Sequence, residues 1–384
     1  MSVPIYLDYA ATTPVDPRVA EKMAACLTLE GNFANPASRS HMPGWRAEQA
    51  VEQARKQVAD ALRADPREIV WTSGATESDN LALKGLAWAR GKPGHIVTTA
   101  IEHKAVLDTC SWLESQGHSV TRLVPDEFGR IEAEKVAQAI RPETFVVSVM
   151  HANNEVGTLN DIEAIGRVCR SAGVPFHVDA AQSAGKLLLD TRQLPVDMIS
   201  ISAHKIYGPK GIGCLYVRRE ADLGLVPLMH GGGHERGMRS GTLPTHQIVG
   251  FGEAMALMEA EREEEIPRLM KLRDRLWSAL AELPGVYLNG HPEARLPGHI
   301  NFSAEGVESE TLLLALRDLA ISSGSACTSA SVEPSHVLVA MGLPRERALG
   351  ALRISLGRFT STEQVERAGE LIVHALGKLR GQAV

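Results

Sequence analysis

The reading turns on Phe176-His177-Val178-Asp179-Ala180-Ala181-Gln182, followed by Ser200-Ile201-Ser202-Ala203-His204-Lys205. Each stretch begins with apolar, strand-forming residues and ends in polar ones. Open α/β sheets bind ligands in the crevice beyond the carboxyl ends of their strands. An acid ending one strand and a lysine ending the next are therefore placed to converge on one ligand. Outward from this pair, short apolar runs alternate with helical stretches. Strands are predicted at 69–72, 95–98, 120–123, 145–150, 175–178, 198–202 and 213–217. A helix is predicted over 47–59, where good helix formers carry spaced apolar positions. The alternation predicts an α/β fold, a mostly parallel sheet covered by helices.

The chain has 384 residues, too long for one small core. Its central αβα domain is expected over 16–257. An acidic run, Glu259 to Glu265, reads as a solvated helix face. Ile266, Leu269, Leu272, Leu276, Leu280 and Leu283 then recur at steps of three and four, the stripe of a helix buried on one side. Pro267 fits best in a first turn or at a kink. After Pro284-Gly285 the pattern shortens, and a last helix is expected from about Thr362 to Leu379, which makes 258–384 a second, smaller α/β domain.

Composition excludes several classes of function. The chain is 44% hydrophobic and 22% charged, with net charge −6 and scattered basic residues, so no field favours nucleic acid or an anionic membrane. No apolar run reaches membrane-spanning length, and the start lacks the pattern of a signal peptide. The expectation is a cytoplasmic enzyme. Five cysteines without a CxxC exclude a disulfide framework and a cysteine zinc site, and no metal is expected. Cys26, Cys110, Cys169 and Cys214 read as small buried hydrophobes. Cys327 differs, because its Ser, Gly, Ala and Thr neighbours suit an exposed loop.

The polar residues assemble into a cofactor site on chemical grounds. A lysine that forms a Schiff base and an acid that faces a pyridinium nitrogen are what pyridoxal phosphate asks of a protein. Alone, Lys205 is a surface lysine and Asp179 a helix N-cap; together with His204 and Ser202 they read as that pair. Gln182 is in reach of the phenolic oxygen of such a ring. Ser73-Gly74-Ala75-Thr76 turns from a strand into a helix, where free backbone N–H groups bind phosphate and Gly74 permits close approach. The segment Gly208-Pro209-Lys210-Gly211-Ile212-Gly213 lacks the spacing of a nucleotide loop and reads as a tight turn. Met229-His230-Gly231-Gly232-Gly233-His234 onward, with Arg236 and Arg239, reads as an anion-contacting loop rather than a metal site.

With Ser322-Ser323-Gly324-Ser325-Ala326-Cys327-Thr328-Ser329-Ala330, the chain closely resembles the pyridoxal-phosphate-dependent cysteine desulfurases of the class V aminotransferase family, most of all their housekeeping iron–sulfur-cluster group. The resemblance runs from Tyr6-Leu7-Asp8-Tyr9-Ala10-Ala11-Thr12-Thr13 to the last helix. It implies the fold type I of pyridoxal phosphate transferases, with a seven-stranded sheet, and implies that residues 1–15 pack with the C-terminal domain. It assigns Ala75, Thr76, Ser202 and His204 to the phosphate, Asn154 and Gln182 to the ring oxygen and Asp179 to the ring nitrogen. Lys205 becomes the Schiff-base residue and proton carrier. His103, otherwise a single structural histidine, is implied to stack on the ring and assist proton transfer. Arg353, beside Asn35, is implied to hold the substrate carboxylate. Thr242 is implied to reach the phosphate of a neighbouring subunit, and hence a homodimer.

Cys327 carries the distinction between reactions. The resemblance implies that its thiolate takes sulfur from L-cysteine, leaving L-alanine and a persulfide that passes to an iron–sulfur scaffold or another sulfur-acceptor protein, and onward to cluster assembly or tRNA thiolation. Relatives in the housekeeping group carry a longer tail that helps dock the scaffold, whereas here Gly381-Gln382-Ala383-Val384 follows soon after the last helix. The alternatives are a selenocysteine lyase, another aminotransferase-family enzyme, or a non-enzymatic scaffold; the intact set of Lys205, Asp179, Gln182, His103 and Cys327 weighs against the last.

Overall fold

A computed structural model describes residues 3–323 and 333–381 of the chain. Cys327 lies outside the described residues. Strand β1 (Ile5–Tyr6) precedes a sheet of seven strands among the described residues: β2 (Ile69–Thr72), β3 (His95–Thr99), β4 (Ser119–Leu123), β5 (Thr144–Ser148), β6 (Phe176–Asp179), β7 (Met198–Ser202) and β8 (Gly213–Val217). Their order is β2-β8-β7-β6-β5-β3-β4. Strands β7 through β4 run parallel, and β8 is antiparallel to both β7 and β2. The mostly parallel α/β fold is the one that the alternation of the sequence predicts. The inner strands are buried along their whole length because both faces of the sheet are covered.

Helices α1 (Pro17–Ala24), α2 (Met42–Leu62), α3 (Ala75–Arg90), α4 (Lys104–Ser115), α5 (Ala133–Ala139), α6 (Ile162–Ala172) and α7 (Thr245–Ala281) provide that cover. The period of two along a strand divides the core between the faces. Val97, Val147, Phe176, Val178, Ile199 and Ile201 pack on one side with residues of α2, α6 and α7. Ile96, Val146, Met198 and Leu215 pack on the other with Leu81, Leu83 and Leu86 of α3 and Val106 of α4. His177 and Asp179 alternate with Phe176 and Val178, so they belong to the face that α3 covers.

A second apolar core joins Leu7 to Leu269, Leu272, Leu276 and Leu280 of α7 and to Ile300, Phe302, Leu352, Ile354 and Ile372. Its sheet is antiparallel, in the order β12-β10-β9, from β9 (Val286–Asn289), β10 (His299–Ala304) and β12 (Ala351–Ser355). Strand β1 pairs in parallel with β11 (Leu319–Ala320). The last helix spans Thr362–Leu379. Its start is fixed by a capping box, in which Ser361 and Gln364 exchange side-chain-to-backbone hydrogen bonds.

Two expectations are corrected in α7. The acidic run and the apolar stripe as far as Leu280 belong to one helix from Thr245 to Ala281, which stops short of Leu283, with Pro267 well inside it rather than in a first turn. The acidic run is also not wholly solvated. Glu265 is buried, because Arg358 pairs with its carboxylate at 2.9 Å and the Tyr207 hydroxyl donates to it at 3.3 Å.

Candidate active site

The cavity at the carboxyl ends of β6 and β7 has a volume of about 690 Å3. It gathers Ala75, Thr76, His103, Asn154, Asp179, Gln182, Ser202, His204, Lys205 and Arg353 around one space. These residues come from the sheet, from α3, from the segment before α4 and from β12 of the second core.

The turn into α3 forms an anion cradle. Gly74 sits at the N-cap with φ +148 and no side chain caps the helix, so the first N–H groups of α3 keep no intrahelical partner. The turn also lies tight against the next strand. A Cβ on Gly213 would stand 2.4 Å from the Ile201 carbonyl oxygen and 2.7 Å from Gly74 Cα. His204 closes the cradle with its Nδ1 3.1 Å from Thr12 Oγ1. Burial, and then the nearby Lys205, Lys210 and Lys186, push the His204 imidazole down to about 4, so it is neutral near pH 7.

Lys205 follows β7 in a single turn of 3-10 helix, and its Nζ donates to the carbonyl oxygens of Ala10 at 2.5 Å and Ala11 at 2.8 Å. Gln182 Nε2 donates to the same Ala10 carbonyl at 2.9 Å. Its Oε1 is buried and accepts no hydrogen bond among the described residues. Asp179 ends β6; burial pushes its carboxyl above the ordinary aspartate range, while the Ala181 N–H, donating to Oδ1 at 2.9 Å, opposes the shift. The chain leaves Asp179 in a turn, not in the helix that an N-cap role requires. His103 does cap a helix: its Nδ1 accepts from the Ala105 N–H at 3.1 Å at the start of α4.

Arg353 on β12 is buried. Its Nη1 donates to the Asn154 carbonyl at 2.9 Å, and its Nη2 donates to Asp8 Oδ1 at 2.8 Å. Its Nε has no partner among the described residues. A buried guanidinium with one unengaged N–H suits a carboxylate ligand.

Two of the site residues read from the sequence stand elsewhere. Asn35 lines a separate shallow cleft with Phe33, Ser38 and His41, and its Oδ1 accepts from the Ala37 N–H at 2.9 Å within a turn. Thr242 is exposed and outside the cavity. Its loop is tied down by Glu235, which takes two 2.8 Å hydrogen bonds from Arg55 and one of 2.8 Å from the Trp71 N–H. Cys26, Cys110, Cys169 and Cys214 are free and buried, as small hydrophobes. Burial pushes the Cys110 and Cys169 thiols up to about 12.

The sequence reading missed several lining residues: Ala10, Ala11, Glu155, Ser335 and His336. Glu155 is buried, which pushes its carboxyl up to about 7. The Ser335 hydroxyl donates to its Oε2, and His336 Nδ1 lies 4.0 Å from its Oε1. Ala10 and Ala11 carried no side-chain signal, since their carbonyls make the contacts.

The family model for aminotransferase class-V matches residues 5–368. Proteins named cysteine desulfurase IscS from Shewanella loihica and from Pseudomonas aeruginosa are each 59% identical to this chain, over 99% of it and 94% of their own length. A solved structure of a NifS-like protein superposes with TM-score 0.91 at 38% identity, covering 98% of this chain and all of that one. One of SspA in complex with cysteine gives TM-score 0.83 at 43% identity, covering 93% of this chain and all of that one. Pyridoxal phosphate is the cofactor of this family, and the residues present fit it. The uncapped start of α3 suits its phosphate, the buried Asp179 carboxyl suits a protonated ring nitrogen, and Gln182 Oε1 is a buried acceptor with no partner among the described residues. From residue 5 to residue 368, and in fold as in sequence, the chain belongs to the class-V aminotransferase family, on its cysteine desulfurase branch.

Proposed function

We propose that the protein is a cysteine desulfurase, which moves the sulfur of L-cysteine to Cys327 and releases L-alanine. The observation that carries this reading is the convergence of Lys205, Asp179, Gln182, His103 and Arg353 on one cavity, in a chain 59% identical to proteins named cysteine desulfurase. The α3 N-terminus with Ala75, Thr76, Ser202 and His204 would hold the phosphate; Asp179 would face the ring nitrogen, and Asn154 and Gln182 the ring oxygen. Bound there, pyridoxal phosphate supplies an electron sink for the substrate α-carbon.

The chain's own groups do the rest. Arg353 binds the substrate carboxylate and orients it. Lys205 Nζ anchors the cofactor and then carries the α-proton, with His103 assisting. Cys327 Sγ, as a thiolate, forms a bond to the substrate sulfur while the substrate C–S bond breaks. The balance is one L-cysteine and one thiol in, one L-alanine and one persulfide out.

The wider reading goes with this activity. Two domains, 16–257 and 1–15 with 258–384, enclose the site, in accord with the two apolar cores. The enzyme works as a homodimer in which Thr242 reaches the phosphate of the neighbouring site; its exposure outside the cavity of its own chain supports that role. Asn35, in its separate cleft, contributes to substrate binding only on a rearrangement around residues 31–43. The persulfide passes to an iron–sulfur scaffold or another sulfur-acceptor protein, and the setting is cytoplasmic. No helix among the described residues is long and apolar enough to cross a membrane.

Intact mass spectrometry after incubation with L-cysteine tests the core of the reading. Wild type should gain about 32 Da, the sulfur of one persulfide, and Cys327→Ala should gain none. Equal labelling of both would remove Cys327 from its role. An enzyme that forms alanine at the wild-type rate without Cys327 would be a different member of the family.

A further inference from the structure

Arg353 lines the cavity, whereas Asp8, which pairs with it, does not. The carboxylate thus holds the guanidinium from outside the space that a ligand would fill. Its Oδ1 accepts from Arg353 Nη2 at 2.8 Å and from Ser322 Oγ at 3.3 Å. The backbone around Asp8 is fixed on both sides. Leu7 N–H donates to the Ala320 carbonyl at 2.9 Å, Ser355 N–H donates to the Leu7 carbonyl at 2.8 Å, and Tyr9 N–H donates to the Ser355 carbonyl at 3.3 Å. Ser322 is tied to Arg353 as well, through backbone hydrogen bonds of 3.3 Å and 2.7 Å in the two directions. Asp8 therefore stands at a set place beside a buried cation.

A ligand carboxylate at Arg353 would share that guanidinium with Asp8, and two like charges in a poorly solvated site repel. Asp8 has a second, opposite effect, since it also orients the guanidinium. The two effects can be weighed. Orientation has other sources: Arg353 is 3% exposed, and its Nη1 donates to the Asn154 carbonyl at 2.9 Å. The negative charge in contact with Arg353 comes, among the described residues, from Asp8. Charge therefore outweighs orientation. Substrate and product give this a purpose. L-cysteine and L-alanine carry the same amine and the same α-carboxylate, so a tight hold on the carboxylate retains both equally and does not speed the chemistry.

We propose that Asp8 is the resident counter-ion of Arg353, which weakens the hold of the site on an α-carboxylate and so lets L-alanine leave after sulfur transfer. In the empty site it balances a buried cation that would otherwise be costly. In the filled site it opposes the ligand's charge across the guanidinium. This rests on the reading of Arg353 as the group that binds the substrate carboxylate.

The test compares cofactor-loaded wild type and Asp8→Asn by calorimetric titration with L-alanine and with L-alanine methyl ester. Asparagine keeps the shape and the accepting oxygen of Asp8 and removes only its charge. The Kd for L-alanine should fall by about tenfold, the order of effect of one poorly solvated charge a few ångströms away. The methyl ester has no carboxylate charge, and its Kd should stay as in wild type. The KM for L-cysteine should fall with that of the product. Were Asp8 chiefly an orienting group, L-alanine would bind more weakly to the variant; were it only packing, the ratio of the two Kd values would not move. Either result overturns the inference. If Asp8→Asn does not fold or load cofactor, Asp8→Ser decides by the same ratio. Arg353→Gln separates the two readings. If it keeps the wild-type ratio, Arg353 does not bind the carboxylate and that reading fails; if it loses the preference for L-alanine while the Asp8 variant keeps the wild-type ratio, the inference about Asp8 alone fails.

Discussion

Lys205 is held in place in part by backbone: its Nζ donates to the Ala10 and Ala11 carbonyls. Those oxygens position the amine over the cavity without adding a charge of their own. Lys205→Ala should therefore leave the fold intact while abolishing the visible cofactor band. Alanine production should fall by about 10²- to 10⁴-fold or more, the usual contribution of a positioned acid–base group. Absorption spectra and alanine assays check both. Glu155 allows a sharper prediction. Its carboxyl is buried and pushed up to about 7, above the ordinary glutamate range. An acid whose folded value is raised costs nothing while protonated. Its penalty grows as pH rises from the unfolded value toward the folded one, and is constant above that. The shift corresponds to about 3 kcal/mol. Glu155→Gln accepts the same Ser335 hydrogen bond without ionising. Its melting temperature should gain on wild type between about pH 5 and about pH 7 and gain no more beyond. A constant difference across that range would show that Glu155 does not titrate there.

At the scale of elements, close packing of turns decides the outcome. Gly213 begins β8 against the Gly74 turn, and a Cβ there would meet only backbone atoms, at 2.4 Å and 2.7 Å. Backbone cannot swing aside as a side-chain end can. Gly213→Ala should destabilise the protein by about 2 kcal/mol or more and weaken cofactor retention with it, because the strand and the cradle must move together. Denaturant melts and equilibrium dialysis of pyridoxal phosphate read the two effects. The same scale explains what the sequence disclosed. The seven strands of the large sheet were legible because each is a short run rich in apolar and β-branched residues, from Ile69-Val70-Trp71 to Cys214-Leu215-Tyr216, set between helical stretches. Asp179 and Lys205 were legible because each follows such a run. Helix α7 was not legible as one element, since Pro267 and the glutamates around it imitate a boundary. The carbonyls of Ala10 and Ala11 and the pairing of Asp8 with Arg353 were hidden for another reason. Their contacts join residues distant in sequence, and no local pattern announces them.

On the scale of the whole molecule, the N-terminal segment ties the two cores together at the site. Tyr9 N–H and Ala10 N–H bond to Ser355 of the second core, Thr13 bonds to the His204 carbonyl beside the cavity, and Asp8 holds Arg353. Arg358 completes the junction. It pairs with Asp16 at 2.8 Å and with Glu265 at 2.9 Å, and both carboxylates are almost wholly buried. Removing one partner of a buried pair leaves the other charge without compensation, at a cost of about 3–5 kcal/mol. Arg358→Met fills similar space without the charge and should lower unfolding stability near neutral pH by at most that amount, since Asp16 keeps its 2.8 Å pair with Arg18. The pH dependence gives the sign. Arg18 first, and then Arg358, hold the Asp16 carboxyl well below the usual aspartate range. A depressed acid stabilises the fold above its unfolded value and loses that contribution as pH falls. The gap between wild type and Arg358→Met should accordingly be widest near neutrality and narrow toward acid, as protonation removes what Arg358 had stabilised. Denaturant unfolding at several pH values measures it. A gap that stays constant down to acid pH would mean that Arg358 holds the junction by packing on Tyr207, whose ring centre lies 4.5 Å from the guanidinium carbon, rather than by charge.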